Sequence, residues 1–198
     1  KPPCEFINFS IFSYGVSIHI SHLSHNTMKC ALTSSYYLLF YSLILVINLG
    51  MPKMGSSSLH SYFRCGGYKS THWQVLLDPV HFWKAQARGY IGVCIEEAIQ
   101  AGLPPFSKCK LNDFEAFTQI DWGPENLVQV DYLNEIVGGV PNATFILTFR
   151  NITNWYISMS NWSNMRKRFE VADITGLPIG MGKSVREFSH FYCEYVKR

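Results

Sequence analysis

Residues 42–63 read SLILVINLGMPKMGSSSLHSYF, and the order of residue types in this stretch decides the fold. From Leu43 to Leu49 the chain is Leu, Ile and Val with one polar interruption, Asn48, the pattern of a central parallel strand covered on both faces. The run breaks at Gly50. Gly50-Met51-Pro52-Lys53-Met54-Gly55 brings two glycines, a proline of fixed φ and one cation, and Ser56-Ser57-Ser58 supplies hydroxyls and backbone N–H groups where a helix should begin. Such a helix end holds an anion, because its unpaired N–H groups and the positive end of its dipole point the same way. A glycine-serine turn after an apolar run is equally an ordinary helix N-cap, and these residues alone leave both readings open.

The place of the lysine narrows the anion chemistry. A nucleotide-hydrolysing phosphate loop has the form G-x-x-x-x-G-K-[ST], with lysine directly after the second glycine. Gly50 and Gly55 keep that spacing, but Ser56 stands in the lysine position and the cation lies inside the loop at Lys53. G-x-P-K-x-G followed by three serines and a leucine resembles the 5′-phosphosulfate loop of the sulfotransferases, with Met54 where that family usually has Thr or Ser. The resemblance implies that Lys53 sits on the oxygen bridging phosphate and sulfuryl group. It also implies that Ser56, Ser57 and Ser58 bind the 5′-phosphate within a loop shaped by Gly50, Pro52 and Gly55.

A second motif lies a hundred residues on. Val130, Tyr132, Leu133, Ile136 and Val137 keep helical spacing up to Gly138-Gly139, Pro141-Asn142 makes a turn, and Thr144 to Phe149 reads as a strong strand ending at Arg150. Asn151 and Thr153 open an amphipathic helix carrying Trp155, Ile157, Met159 and Trp162. A guanidinium fork at a strand end and a hydroxyl two turns into the next helix, Ser158, can converge on one phosphate. This again resembles the sulfotransferases, whose 3′-phosphate site has an arginine at a strand end and a serine eight positions later; residues 146–156 resemble their ILT-x-R-[DN]-x-x-x-W-Y pattern. A magnesium-dependent phosphate-loop enzyme wants an Asp at such a strand end. Here it is Arg150, and the resemblance implies 3′-phosphoadenylyl sulfate as co-substrate with no metal.

Composition fits one α/β domain: 198 residues, 47% hydrophobic and 16% charged, can bury one sizeable core. A net charge of +3 is too small for a nucleic-acid stripe and suits an anionic cofactor or acceptor. The six cysteines form no C-x-x-C pair, so they read either as buried thiols or as one or two disulfides of an oxidising compartment, with Cys65, Cys94 and Cys109 the best candidates. Residues 1–41 read as a poorly ordered or misassigned segment and a candidate signal anchor, residues 42–198 as the sulfotransferase-like domain. The family usually continues with another strand and a basic glycine-containing segment, so the resemblance implies an incomplete C-terminus. His19, His22 and His25 have metal-like spacing but no accompanying carboxylate or cysteine. No charge occurs between Cys30 and Pro52, a transmembrane-like trait, yet a span ending at Gly50 would leave no strand to carry the loop.

Other residues complete the expectation. His72 follows the first helix by one turn and is the candidate general base, against a merely structural histidine. Asp121 closes an alternating segment, 114–121, and reads as a base, an acceptor-hydroxyl ligand or a turn residue before Trp122-Gly123-Pro124. Residues 82–102 read as mostly one amphipathic helix, and 185–197 as a helix whose apolar face is Phe188, Phe191, Tyr192 and Tyr195. Arg166-Lys167-Arg168 is a solvated helix end or an attractor of an anionic carbohydrate, and 176–184 a loop near the acceptor pocket. Four sequons, at Asn8, Asn142, Asn151 and Asn161, point towards the Golgi or secretory pathway, with a cytoplasmic place as the alternative. The expectation is therefore a three-layer α/β/α domain with a mostly parallel sheet. It is expected to transfer a sulfuryl group from 3′-phosphoadenylyl sulfate to an acceptor hydroxyl of a carbohydrate or small molecule. The alternatives are a phosphate-loop kinase or triphosphatase and a non-catalytic nucleotide- or glycan-binding remnant.

Overall fold

A computed structural model describes residues 7–13, 16–23, 45–76, 88–109 and 113–198. The charge-free segment before residue 45 and His25 lie outside the described residues. One sheet organises the rest, in the order β2 (Val16–Leu23), β1 (Ile7–Ser13), β8 (Thr144–Phe149), β3 (Val46–Asn48), β7 (Ala116–Phe117), β4 (Ser70–Thr71). Its four strands β8, β3, β7 and β4 are parallel, and the β1–β2 hairpin, where the sequence indicated no element, joins antiparallel to β8.

The apolar run before Gly50 is thus a central parallel strand, with both faces buried. Val46 packs with Ile146 and Ala116 against Leu59 and Phe63 of α1 (Ser56–Cys65), while Ile47 and Phe117 pack the other way, against Ile91 and Ile95 of α2 (Ile91–Gln100). This two-sided cover makes the three-layer α/β architecture expected from the sequence. A further cluster joins Met51 and Met54 of the loop to α5 (Ile152–Ser160), α6 (Met165–Val171) and α7 (Val185–Val196). Phe188, Phe191, Tyr192 and Tyr195, read as the apolar face of the last helix, are all buried. Gly66 is the C-cap of α1, its N–H reaching the carbonyls of Tyr62 and Arg64.

Three expectations are corrected. The helix read over 82–102 begins only at Ile91, because residues 88–90 form β6 (Arg88–Tyr90), paired with β5 (Gln74–Leu76). The helix read up to Gly138 is two, α3 (Val128–Asp131) and α4 (Leu133–Gly139). Val128 and Val130, two positions apart, are both buried, which one straight apolar stripe does not allow, and the backbone bends at Tyr132. The strand read over 114–121 pairs only at Ala116–Phe117, because its outer neighbour β4 is two residues long.

Cys94 and Cys109 form a disulfide that ties α2 to the following loop, and Cys65 is disulfide-bonded as well. The first bond closes 15 residues, so the Cys94→Ala/Cys109→Ala variant is expected to lose about 3 kcal/mol of stability. Urea unfolding measures it; an unmoved midpoint would contradict a structural role for the bond.

Candidate active site

The loop after β3 is built from inside. Asn48, the one polar residue of the apolar run, donates from Nδ2 to Thr118 O at 2.8 Å and accepts from Gly50 N at 3.1 Å, so it ends the strand and starts the turn. Tyr195 of α7 donates to Leu49 O at 2.7 Å. Gly50 has no room for a side chain: a Cβ there would lie 1.8 Å from Thr148 Oγ1 on β8. Lys53 adopts a left-handed φ of 66°, uncommon for a residue with a Cβ, and Gly55 caps α1 at φ 101°. Neighbours hold that turn. Trp155 of α5 donates its indole N–H to Pro52 O at 2.8 Å, and Arg150 donates from Nη1 to Lys53 O at 3.2 Å. Local strain of this kind persists where surrounding contacts over-determine it, which is common at functional sites.

Above the loop opens a cavity of about 630 Å³. Of the residues singled out from sequence, Pro52, Lys53, Gly55, Ser56, Ser57, Ser58, His72, Arg150 and Ser158 all line it. Gly50 and Asp121 do not: Gly50 lies beneath, against Thr148, and Asp121 is fully buried. Asp121 accepts from Gly123 N at 3.0 Å, the turn role among the three left open. A smaller hollow of about 300 Å³ shares Lys53, Arg150, Ser158 and Trp162. The Lys53 ammonium stands 3.8 Å from the centre of the Trp162 ring, a cation–π contact, and partial burial, then Arg150, hold its pKa below the usual lysine value.

A chain of side chains runs from the cavity wall into the core. Gln119 donates from Nε2 to Asp121 Oδ1 at 3.1 Å, which turns its Oε1 to accept from Ser56 Oγ at 2.9 Å. Ser56 Oγ, its proton committed, faces His72 Nε2 at 3.0 Å as an acceptor. His72 also stacks on His60, 5.8 Å between centroids. Burial, then the neighbouring His60 and Lys53, push the His72 pKa down to about 4, so the ring is neutral at physiological pH.

No carboxylate lines the cavity among the described residues; its charged groups are Lys53, Arg150 and Arg168. The span that holds both strand ends, from residue 45 to residue 196, matches a family model described as a sulfotransferase domain. The chain belongs to the sulfotransferase domain family. It is accordingly an enzyme of sulfuryl transfer, and the resemblance seen in the two motifs extends from the approach to β3 through the end of α7. No curated protein matches the chain significantly.

Within this sulfotransferase, two expectations about surface segments change. Residues 176–184 do not line the cavity; Lys183 O accepts from Tyr156 and its N–H donates to Glu187, which fixes the segment to α5 and α7. The basic run is largely neutralised, since Arg168 pairs with Glu125 and Arg166 with Glu170. Sequence reasoning missed Trp162 as the partner of Lys53 and Gln119 as the link to Asp121. Trp162 was visible only as part of a helix face, and nothing in the residues around Gln119 marked it.

The pH dependence of stability follows from Asp121. Burial raises its carboxyl from 3.8 to about 6, against the opposing hydrogen bonds of Gly123 and Gln119. Between those values the folded protein keeps a proton that the unfolded chain releases, so this group's contribution falls as pH rises from about 4 to about 6, by on the order of 3 kcal/mol. His72 acts oppositely, since its lowered folded pKa makes stability rise with pH between about 4 and 6.5. Asp121→Asn is therefore expected to gain stability relative to wild type as pH goes from 4 to 7. Urea titrations of both proteins at the two pH values measure this; a difference independent of pH would contradict it.

Proposed function

We propose that the sulfuryl donor is 3′-phosphoadenylyl sulfate and that the acceptor is a hydroxyl group. The observation that carries this reading is convergence: Lys53 and Arg150, 97 residues apart, meet over one cavity whose wall also holds Ser158 and the serines opening α1. A cation and a helix N-terminus at one place, with a guanidinium and a hydroxyl beside them, suit a ligand with two separated phosphates. The cavity volume lies in the range of small-molecule sites. The absence of a carboxylate from the wall among the described residues counts against a magnesium-dependent phosphate-loop enzyme.

In the proposed reaction the acceptor oxygen forms its bond to sulfur as the bond from sulfur to the bridging phosphate oxygen breaks. Lys53 stabilises the charge that collects on that leaving oxygen, a task for a preorganised cation. Ser56, Ser57 and Ser58 hold the 5′-phosphate, and Arg150 with Ser158 the 3′-phosphate. His72 receives the acceptor proton; it is the titratable wall residue that is neutral at physiological pH. We further place the reaction in an oxidising compartment such as the Golgi lumen, a reading supported by the Cys94–Cys109 bond.

Incubation with 3′-phosphoadenylyl [³⁵S]sulfate, a chelator and a panel of glycans and phenols tests the proposal. Label in an acceptor is the expected result. Nucleotide binding without transfer to any acceptor would instead mark a binding remnant.

A further inference from the structure

The fold sorts the four Asn-x-Ser/Thr sequons, at Asn8, Asn142, Asn151 and Asn161, by their distance from the cavity. Strands β8, β3, β7 and β4 run parallel, so one edge of the sheet collects their carboxyl ends and the opposite edge their amino ends. The lysine loop and Arg150 follow β3 and β8 and stand at the carboxyl edge. Three sequons lie beside them. Asn8 pairs with Phe149, which lines the large cavity. Asn151 follows Arg150, and its side chain is turned back to accept from Thr153 N and Asn154 N. Asn161 borders the smaller hollow together with Lys53, Arg150 and Ser158.

Asn142 is at the other edge. It precedes β8, whose six residues separate it from Arg150 by roughly 20 Å. Ala143 N–H donates to Val140 O at 2.9 Å and closes a turn with Pro141 and Asn142 at its centre, residue types that suit those positions. Asn142 is exposed, and among the described residues its side chain makes no hydrogen bond. The surface beside this turn is apolar. Val137 of α4 is 41% exposed and Leu103 is 46% exposed, and a Cβ on Gly139 would touch the Pro105 ring, so the two stretches lie together. Bare, such a face favours association.

We propose that Asn142 carries an N-linked glycan, which covers the Leu103–Val137 face and leaves the cavity open, while the three sequons beside the cavity stay bare in the nucleotide-binding protein. This rests on the oxidising-compartment reading above, which the Cys94–Cys109 bond across the stretch holding Leu103 supports. The sequon Asn142-Ala143-Thr144 supplies the acceptor amide and the hydroxyl residue that such a modification needs. The donor is an oligosaccharide joined to a lipid through a pyrophosphate. Asn142 Nδ2 forms a bond to the first sugar's anomeric carbon, the bond from that carbon to the pyrophosphate oxygen breaks, the oxygen leaves with the electron pair, and one amide proton is released. At Asn161 the same sugar would stand in the hollow that Arg150 and Ser158 line, and at Asn151 it would stand next to Arg150 at the start of α5. At Asn142 it meets only solvent and the apolar face.

The test isolates the protein from its native cells by antibody, with free thiols alkylated, and maps its cysteines and sequons by peptide mass spectrometry before and after a glycan-releasing amidase, which converts a modified asparagine to aspartate. The expected result is Asn142 recovered as aspartate after the amidase, Asn8, Asn151 and Asn161 as asparagine throughout, and Cys94 joined to Cys109. Affinity for adenosine 3′,5′-bisphosphate is expected to be the same with the glycan and without it. An intact Cys94–Cys109 bond with unmodified Asn142 overturns the proposal and spares the compartment reading. Free thiols at both cysteines overturn that reading and the proposal with it. A glycan on Asn151 or Asn161 in protein retained on immobilised bisphosphate overturns the sorting by distance from the cavity. Asn142→Gln, secreted from cultured animal cells behind a cleavable signal, is expected to lose the glycan and to aggregate at concentrations where wild type stays dispersed. Equal dispersal of the two overturns the covering role.

Discussion

Replacing Lys53 by alanine is expected to lower sulfuryl transfer by about 10²–10³-fold while the protein stays folded. Lys53 is the cation set within the loop, and its carbonyl, not its side chain, carries the link to Arg150. Truncation therefore spares the backbone contacts that shape the turn: Trp155 still reaches Pro52 O and Arg150 still reaches Lys53 O. What is lost is the charge at the leaving oxygen and the contact with the Trp162 ring. The left-handed backbone costs alanine about what it costs lysine, so Lys53→Gly, which relieves it, is expected to be more stable but equally inactive. Lys53→Arg is not a conservative rescue, because a planar fork does not reproduce a compact ammonium. Steady-state rates at saturating donor measure all three. Retention of more than about a tenth of the wild-type rate by Lys53→Ala would remove the lysine from the chemistry.

A large stability effect is expected at Gly50. A methyl group there meets Thr148 Oγ1 at 1.8 Å and Thr148 Cβ at 3.0 Å. Thr148 is β-branched and sits in β8, next to β3 in the sheet, so it cannot swing aside without moving the strand that carries Arg150. Gly50→Ala is expected to cost about 3 kcal/mol. Among the described residues Thr148 Oγ1 has no hydrogen-bond partner, so Thr148→Ala alone should be nearly neutral, and in the double variant it should recover part of the loss. Chemical denaturation of the single and double variants gives the coupling. Strict additivity would contradict the clash.

The elements legible in the sequence are those where one period runs uninterrupted between recognisable ends. The run before Gly50, the strand up to Phe149 and the helix from Val185 each combine a hydrophobic pattern with a clear terminus, and the helix after Arg150 is capped by Asn151, whose side chain accepts from Thr153 and Asn154 N–H. The phosphate-loop residues and Arg150 were legible because spacing along the chain fixes their chemistry. What stayed hidden depends on distant partners. Residues 88–90 are a strand because β5 and two tryptophans hold Tyr90 extended, and no local pattern encodes that. The bend at Tyr132 follows from burial on two sides, and α6 from packing of Met165 and Phe169 into the cluster beneath the loop. Asp121 stood at the right strand end for a base but was turned into the core by Gly123 and Gln119.

The central claim is that one doubly phosphorylated adenosine spans the lysine loop and the end of β8. Calorimetric titration of wild type and Arg150→Ala with adenosine 3′,5′-bisphosphate and with adenosine 5′-monophosphate, in a chelator, tests it most directly. The account predicts that Arg150→Ala weakens the bisphosphate by roughly a hundredfold and the monophosphate hardly at all, because only the former carries the group that the guanidinium grips. Equal weakening of both nucleotides, or binding of ATP only when magnesium is supplied, would contradict it.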